Sequence, residues 1–300
     1  MWLCPACRQE ACFPSGSELW PPGWSCPNCG AAPQRSGELA CLAPELADSL
    51  SGFDPALFET LQTIEATSFW FVNRAALIVA LLEHHFPAAA NLFEIGCGTG
   101  SVLLAVRRAR PNLRLFGSDL HPRGLAAARR RLGDAVNLFQ MDARRIPARS
   151  EFDVIGAFDV LEHIPEDEQV IDEMHEALRP GAGVLVAVPQ HPWLWSPADE
   201  DAHHQRRYRR GELEAKLRRH GFAVERSTSF NSLLLPAMVL SRLAMKGRAK
   251  RQRSTALAEF ETTKGLNGFL SAVLRVEIAA TVAGVSWPIG GSRFVVARRR

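Results

Sequence analysis

The sequence predicts an α/β fold, a largely parallel sheet with helices on both faces, and three observations carry the prediction. From Asn91 onward, short apolar runs alternate with helical stretches, the pattern of parallel strands joined by crossover helices. The first run, Asn91-Leu92-Phe93-Glu94-Ile95, breaks into Gly96-Cys97-Gly98-Thr99-Gly100 and then starts a helix, so strand, tight turn and helix N-terminus follow one another. Ahead of this region, Cys4-Pro5-Ala6-Cys7 and Cys26-Pro27-Asn28-Cys29 form two C-x-x-C pairs that mark a small unit of their own.

A chain of 300 residues, 47% of them hydrophobic, can bury a full core and one small extra unit. The net charge of +3 is mild and argues against a dedicated nucleic-acid coat. The start, Met1-Trp2-Leu3-Cys4, has neither a basic nor an apolar leader region, so a cytoplasmic location is expected, with the seven cysteines as thiols or metal ligands. No clean membrane span is expected, because the apolar run 233–245 is short and the run 269–285 carries Arg275 and Glu277.

Taken in order, the four cysteines come first. Cys4, Cys7, Cys26 and Cys29 can close a tetrahedral zinc site that leaves no open position, so a structural metal is expected. This segment, 1–40, looks like a zinc ribbon, with Cys12 and Cys41 spare. Residues 41–54 are rich in small and turn-forming types and read as a linker; 55–300 read as the main domain. Leu57, Leu61 and Ile64 have helix-face spacing, and the aromatic stretch 68–74 leads into an apolar helix over 75–86.

After the glycine turn, a helix over 102–110 stops at Pro111, and a second strand ends at Asp119. A helix over 121–132 carries Arg129, Arg130 and Arg131, which read as a solvated face. The third strand is 136–140 and the fourth 152–157. Glu166, Asp167 and Glu168 open a helix through Leu178, complementing its positive end, and 179–183 stop it before a fifth strand at 184–188. The loop that follows holds His191, His203, His204, two tryptophans and the only tyrosine, Tyr208, too many chemical groups for a mere connection. Its histidines are poorly spaced for a metal site. A helix over 211–220, a sixth strand over 223–229 and a last strand over 292–297 complete the pattern. Between those two strands lies an insertion, 231–288, apolar at first and then basic at Lys246, Arg248, Lys250, Arg251 and Arg253. It reads as a helical cap over a pocket, or, through 231–253, as a peripheral contact with an anionic membrane.

The glycines permit backbone angles closed to other residues and let a ligand lie against the main chain. Glu94 and Asp119 set carboxylates at successive strand ends, and Asp119 suits a ribose diol. A carboxylate beside a pyrophosphate repels it, whereas beside a sulfonium and an α-ammonium it attracts, so the residues favour S-adenosylmethionine over a dinucleotide.

From these residues the chain resembles the class I S-adenosylmethionine-dependent methyltransferases over about 64–230 plus the terminal strand. The resemblance implies a seven-stranded Rossmann-like sheet. It places Glu94, Gly96, Cys97, Gly98 and Gly100 around the methionine end, Asp119 and Leu120 at the ribose, and Asp142 and Ala143 at the adenine. Phe158 falls near the methyl group, and Arg74 joins Phe69 and Trp70 in a lid. The run Val160-Leu161-Glu162-His163 is similar to methyltransferases acting on small molecules, including ubiquinone-biosynthesis O-methyltransferases. His163 or His204 is then the candidate base, with Tyr208 in the same substrate-side loop. The implied acceptor is an O or N nucleophile of a small or lipid-linked molecule. Two alternatives stand beside it: an RNA methyltransferase docking RNA through the ribbon, and a non-catalytic module whose ribbon docks a protein. Phe158-Asp159-Val160-Leu161 stands where base-methylating enzymes of this resemblance carry Asn-Pro-Pro-Tyr, which counts against base N-methylation.

Overall fold

The computed structural model describes residues 1–13, 19–47, 58–246 and 263–300. The second half of the expected linker, 48–54, with Leu57 and the basic run 248–253, lies outside the described residues.

The strands are β1 (Gln34–Ser36), β2 (Leu39–Cys41), β3 (Asn91–Ile95), β4 (Arg114–Asp119), β5 (Val136–Gln140), β6 (Phe152–Phe158), β7 (Leu178–Pro189), β8 (Phe222–Phe230) and β9 (Ser292–Arg299). They form one sheet in the order β1-β2-β5-β4-β3-β6-β7-β9-β8. From β2 to β7 neighbours run parallel, and β9 runs antiparallel to both β7 and β8. The seven strands from β3 onward are the expected sheet. The other two come from the N-terminal segment, so the sheet has nine strands among the described residues rather than seven.

Alternation within the strands explains the two-sided burial. Phe93, Ile155, Val186 and Val295 face one layer, while their neighbours Leu92, Val154, Leu185 and Val296 face the other. The first layer is closed by α5 (Asp167–Ala177) and α7 (Glu212–Arg219) through Val170, Ile171, Met174, Leu213 and Leu217. The second is closed by α2 (Phe69–His85), α3 (Ser101–Ala109) and α4 (Pro122–Leu132), where Leu77, Leu81, Leu103, Val106 and Leu125 repeat at helical spacing. α1 (Phe58–Thr67) precedes α2, and a short α6 (Pro197–Asp201) lies in the long loop.

The N-terminal segment is built into this core. Trp20 is buried, and Trp2 stands edge-on to Trp20, Phe139 and Phe152 at ring separations of 5.3, 5.9 and 5.5 Å. Residues 34–41 add β1 and β2 to the free edge of β5, and the Gln140 side chain bonds the backbone of Ala43 in both directions, at 3.0 and 2.7 Å. An exposed parallel edge is thereby covered by the chain itself.

β7 begins at Leu178, expected as the last helical residue, and takes in 179–183, expected as a turn. The register shifts opposite Phe152 and Val154, so 179–182 form an irregular start to the strand. Gly183 then lets β9 pass close, since a Cβ there would stand 2.4 Å from the Ala297 carbonyl oxygen.

The insertion forms α8 (Leu235–Lys246) and α9 (Lys264–Val282), the latter packed along α2. α9 is long and apolar enough to cross a membrane by length and composition, a correction to the sequence reading, and α1 with α2 passes the same test only as one span across its 69° bend. The charge at Glu277 is turned inward instead, where its carboxylate accepts from the amides of Ser232 and Leu233 at 2.9–3.0 Å. In this fold α9 is held to the domain by a buried acid.

Candidate active site

A cavity of about 920 Å³ opens at the C-terminal ends of β3, β4, β5 and β6. The chain leaves β3 toward one side of the sheet and β6 toward the other, so the cavity sits at the topological switch point where α/β sheets bind ligands.

Its floor is the glycine turn. Gly96 and Gly98 have φ of +67° and +51°, in the left-handed region, and a Cβ on Gly96 would stand 2.4 Å from the Val160 side chain. Gly100, read as a ligand contact, instead faces α4: a Cβ there would stand 2.8 Å from Leu132 and 3.1 Å from Ala128, so its role is close helix packing.

Asp119 braces this turn. One carboxylate oxygen accepts from the Gly98 amide and the other from the His121 amide, both at 2.9 Å. Burial pushes its pKa up, with the backbone amides opposing. Glu94 is 3% exposed, and its Oε2 has no hydrogen-bond partner. Burial pushes its pKa well above the carboxylate range, and Arg74 only partly offsets that. Arg74 is buried, pairs with Asp159 at 2.6 Å and lies over Trp70 at 5.0 Å. A buried acid with one oxygen unmatched, beside a backbone that only glycine keeps open, fits an ammonium group, and Asp119 at the next strand end fits a ribose.

Cys97, Leu120, Ala143 and Phe158 also line the cavity. Asp142 lines it too, but Arg144 holds its carboxylate: Nε stands 3.1 and 3.0 Å from the two oxygens. An adenine amino group would share that acid with Arg144.

The same cavity is also lined by Glu162, His163 and His204, from the end of β6 and from the long loop. Glu162 is fully buried, and neither carboxylate oxygen has a hydrogen-bond partner. His204 Nδ1 stands 2.9 Å from Asp199, which directs Nε2 toward Glu162 at 4.0 Å, and the two imidazoles lie 4.7 Å apart edge to face. Asp199 also accepts from Arg207 Nε at 2.7 Å and from the Ser196 amide at 2.8 Å. Burial, then the neighbouring His204, lowers the His163 pKa to about 3, so this imidazole is neutral at pH 7.

Tyr208 does not line the cavity. It is buried beside α5, where its hydroxyl donates to Asp167 at 2.6 Å and where Lys216 and Arg206 also pair with that acid. Burial raises the Asp167 pKa, but the hydrogen bonds of Lys216 and Tyr208 outweigh it and hold the group below the usual range. Its stabilising contribution is therefore present above pH ~4 and lost as pH falls below that. Tyr208→Phe is expected to cost about 1–2 kcal/mol in denaturant unfolding and to leave cofactor affinity unchanged; a selective loss of affinity would return Tyr208 to the site.

Two features had no signal in the sequence. Asp159 holds the non-glycine φ of +57° that turns it onto Arg74. Arg131, read as part of a solvated face, instead reaches Glu65 at 2.8 Å and Thr99 at 2.9 Å, tying α4 to α1 and to the glycine turn. His163 and His204, both expected on the acceptor side, come together with Glu162 across some forty residues of chain.

Away from the cavity, the sulfurs of Cys4, Cys7, Cys26 and Cys29 lie within 4.8 Å of one another, with Cys4 to Cys29 and Cys7 to Cys26 at 3.7 Å. This is far beyond a disulfide and equals the edge of a tetrahedron with metal–sulfur bonds of about 2.3 Å. The four thiols could hold a zinc ion.

Residues 93–184 match the family model of a methyltransferase domain. Among curated proteins, a trans-aconitate 2-methyltransferase of Variovorax paradoxus is 31% identical over 34% of this chain and 40% of its own length. A ubiquinone biosynthesis O-methyltransferase of Aromatoleum aromaticum is 26% identical over 53% and 63%. The chain thus spans about half the length of such relatives. Among solved structures, a chain of the Haloferax volcanii complex containing the Trm112 methyltransferase activator superposes with a TM-score of 0.54 at 18% identity, covering 81% of this chain and 94% of that one. Haemonchus contortus phosphoethanolamine N-methyltransferase 2, solved with S-adenosyl-L-methionine, gives 0.50 at 19% identity, covering 73% and 51%.

Proposed function

From the premise that this chain carries a class I S-adenosylmethionine-dependent methyltransferase domain, we propose that it transfers a methyl group to a hydroxyl or amine of a small or lipid-linked acceptor. The observation that carries this reading is one cavity with two differently equipped sets of groups. The glycine turn, Glu94 and Asp119 form one set of lining groups, and Glu162, His163 and His204 form another in the same cavity.

When bound, the cofactor supplies a methyl on a sulfonium, whose departure leaves a neutral thioether. The chain's own work is alignment and management of one proton. Gly96 and Gly98 hold the methionine end against the backbone, Glu94 takes its ammonium, and Asp119 accepts from the ribose while its other bonds keep the turn in place. Asp142, shared with Arg144, faces the adenine. The acceptor's proton leaves at the Glu162, His163 and His204 wall, where Asp199 fixes the orientation of His204.

A lipid-linked acceptor is supported by the cap. Leu234, Ala237, Met238, Leu266 and Leu270 line the cavity, and Leu240, Phe269 and Val276 expose apolar surface on α8 and α9. We place the protein in the cytoplasm, with that cap as its contact to a membrane bearing the acceptor. The four cysteines we assign to a structural zinc. The Haloferax methyltransferase was solved with a separate activator; here the β5 edge is covered by the chain's own N-terminal segment, which we read as support in cis.

The test is calorimetric titration with S-adenosylmethionine and, in parallel, NAD, followed by labelled methyl transfer to membrane, small-molecule and RNA fractions kept apart. Saturable binding of the former alone is expected; binding of neither, or transfer confined to RNA, would overturn the reading.

Glu94→Gln gives a sharper check. Glu94 titrates above its unfolded value, so its ionisation costs the empty fold stability increasingly as pH rises above ~4.5. The variant is expected to be more stable than the parent at pH 7 and to bind the cofactor at least tenfold more weakly. Equal affinity would remove Glu94 from the ammonium site.

A further inference from the structure

We propose that Glu162, His163 and His204 form a binding site for one first-row divalent cation, which holds the acceptor oxygen at its open coordination position. The proposal rests on the methyltransferase reading for its chemistry, but its geometry stands without it.

Each of the three residues offers one ligand atom, and all three atoms lie within 4.8 Å of one another. Ligands at 2.0–2.2 Å from one ion stand about 3.3–3.6 Å apart in a tetrahedron, so the 4.0 Å between Glu162 and His204 Nε2 closes with a shift of about 0.5 Å, and shifts of about 1 Å complete the set. Both Glu162 oxygens are buried without a hydrogen-bond partner, and so is His163 Nδ1. Buried acids are otherwise paired or bound to metal, because burying an unmatched carboxylate costs several kcal/mol (about 2–7 even for a neutral polar group). A cation between these atoms satisfies all of them together.

The surroundings are those of a metal site. His204 gives its other nitrogen to Asp199 at 2.9 Å, and Asp199 is itself fixed by Arg207 and Ser196. Such outer partners set the tautomer and aim the lone pair at the ion. Two imidazoles and one carboxylate suit zinc, manganese or cobalt better than magnesium, and three protein ligands leave a position open to the cavity.

An acceptor hydroxyl bound there becomes more acidic. Its O–H bond breaks and the proton passes to solvent; the oxygen pair forms the new bond to the methyl carbon as the carbon–sulfur pair returns to sulfur. With the ion in place, His204 is a ligand, and the acidified hydroxyl loses its proton to solvent without a side-chain general base.

The test uses the full chain with its cysteine site loaded with zinc, titrated with Mn²⁺ alone and followed by water-proton relaxation, which thiolate-bound zinc does not disturb. One saturable Mn²⁺ with a strong relaxation enhancement is expected, reporting an open, solvent-accessible position. Glu162→Gln and His204→Ala should each abolish it, and Asp199→Asn should weaken it 10–100-fold. Glu162→Gln is nearly isosteric, and retained cofactor binding by calorimetry shows that it is folded. Absence of saturable Mn²⁺, binding indifferent to Glu162→Gln, or equal affinity for Mg²⁺ would overturn the assignment. Cofactor binding without metal would leave the methyltransferase reading standing; metal without cofactor would sink that reading and keep the site.

Discussion

Asp119→Ala is expected to reduce affinity for S-adenosylmethionine by at least 100-fold while circular dichroism and the unfolding transition show an intact domain. Two effects combine. The substitution removes the acceptor proposed for the ribose, and it releases the amides of Gly98 and His121, each held at 2.9 Å. Each charged hydrogen bond to the ribose diol contributes about 1.5–3 kcal/mol, so losing two reaches the ~2.7 kcal/mol that a 100-fold change requires, and the loosened turn adds to the loss. The fold should tolerate the change, because a buried carboxylate with a raised pKa is itself a burden to the empty protein. Asp119→Asn should fall between, since an amide oxygen replaces one acceptor only. Calorimetry decides, and unchanged affinity in the Ala variant would remove Asp119 from the cofactor site.

Cys26→Ser, or chelation of the parent protein, is expected to have the largest effect on stability. The unit is not an appendage. Trp20 is 1% exposed in the main core, Trp2 contacts Phe116, Phe139 and Phe152, and β2 extends the sheet. A structural zinc site contributes about 10–16 kcal/mol of apparent binding energy, comparable to or larger than the total stability of a typical domain. Loss of about one zinc equivalent, a fall in the unfolding midpoint of 10 °C or more and a rise in tryptophan exposure should accompany each other. Cofactor affinity should fall as well, because Gln140 links Ala43 on this unit to the Leu120 carbonyl at 3.2 Å, beside Asp119. Cys12→Ser is the control, since Cys12 is exposed and outside the cluster. A metal-free protein with unchanged unfolding would refute the zinc assignment.

Most of the cofactor end could be read from the chain because its signals are local. Glycines at alternate positions after an apolar run report a turn that needs positive φ, and an acid at the next strand end follows from the same repeat; neither depends on distant residues. The cysteine pairs were equally plain, since C-x-x-C spacing prepares each half of a tetrahedron. Gly100 shows the limit of such reading: the motif named it, yet only the approach of α4 shows that its missing Cβ serves packing.

The acceptor end was read less well, and for one reason. Glu162 and His163 follow β6, while His204 lies beyond α5, β7 and α6, and in sequence its spacing spoke against a shared ligand. Crossover connections return successive strand ends to one edge of the sheet, so residues some forty positions apart meet there with no trace in local periodicity. The same holds for Arg74 with Asp159, for Arg131 with Glu65, and for the N-terminal strands, whose place beside β5 depends on an edge that exists only once the sheet has formed. The sequence by itself determined the alternating fold, the glycine cradle and the four-cysteine set, because turn chemistry and periodicity are properties of neighbours along the chain. Only the tertiary structure decided which buried acids lack partners and which histidines face them, because burial and charge pairing are set by elements that meet across the sheet.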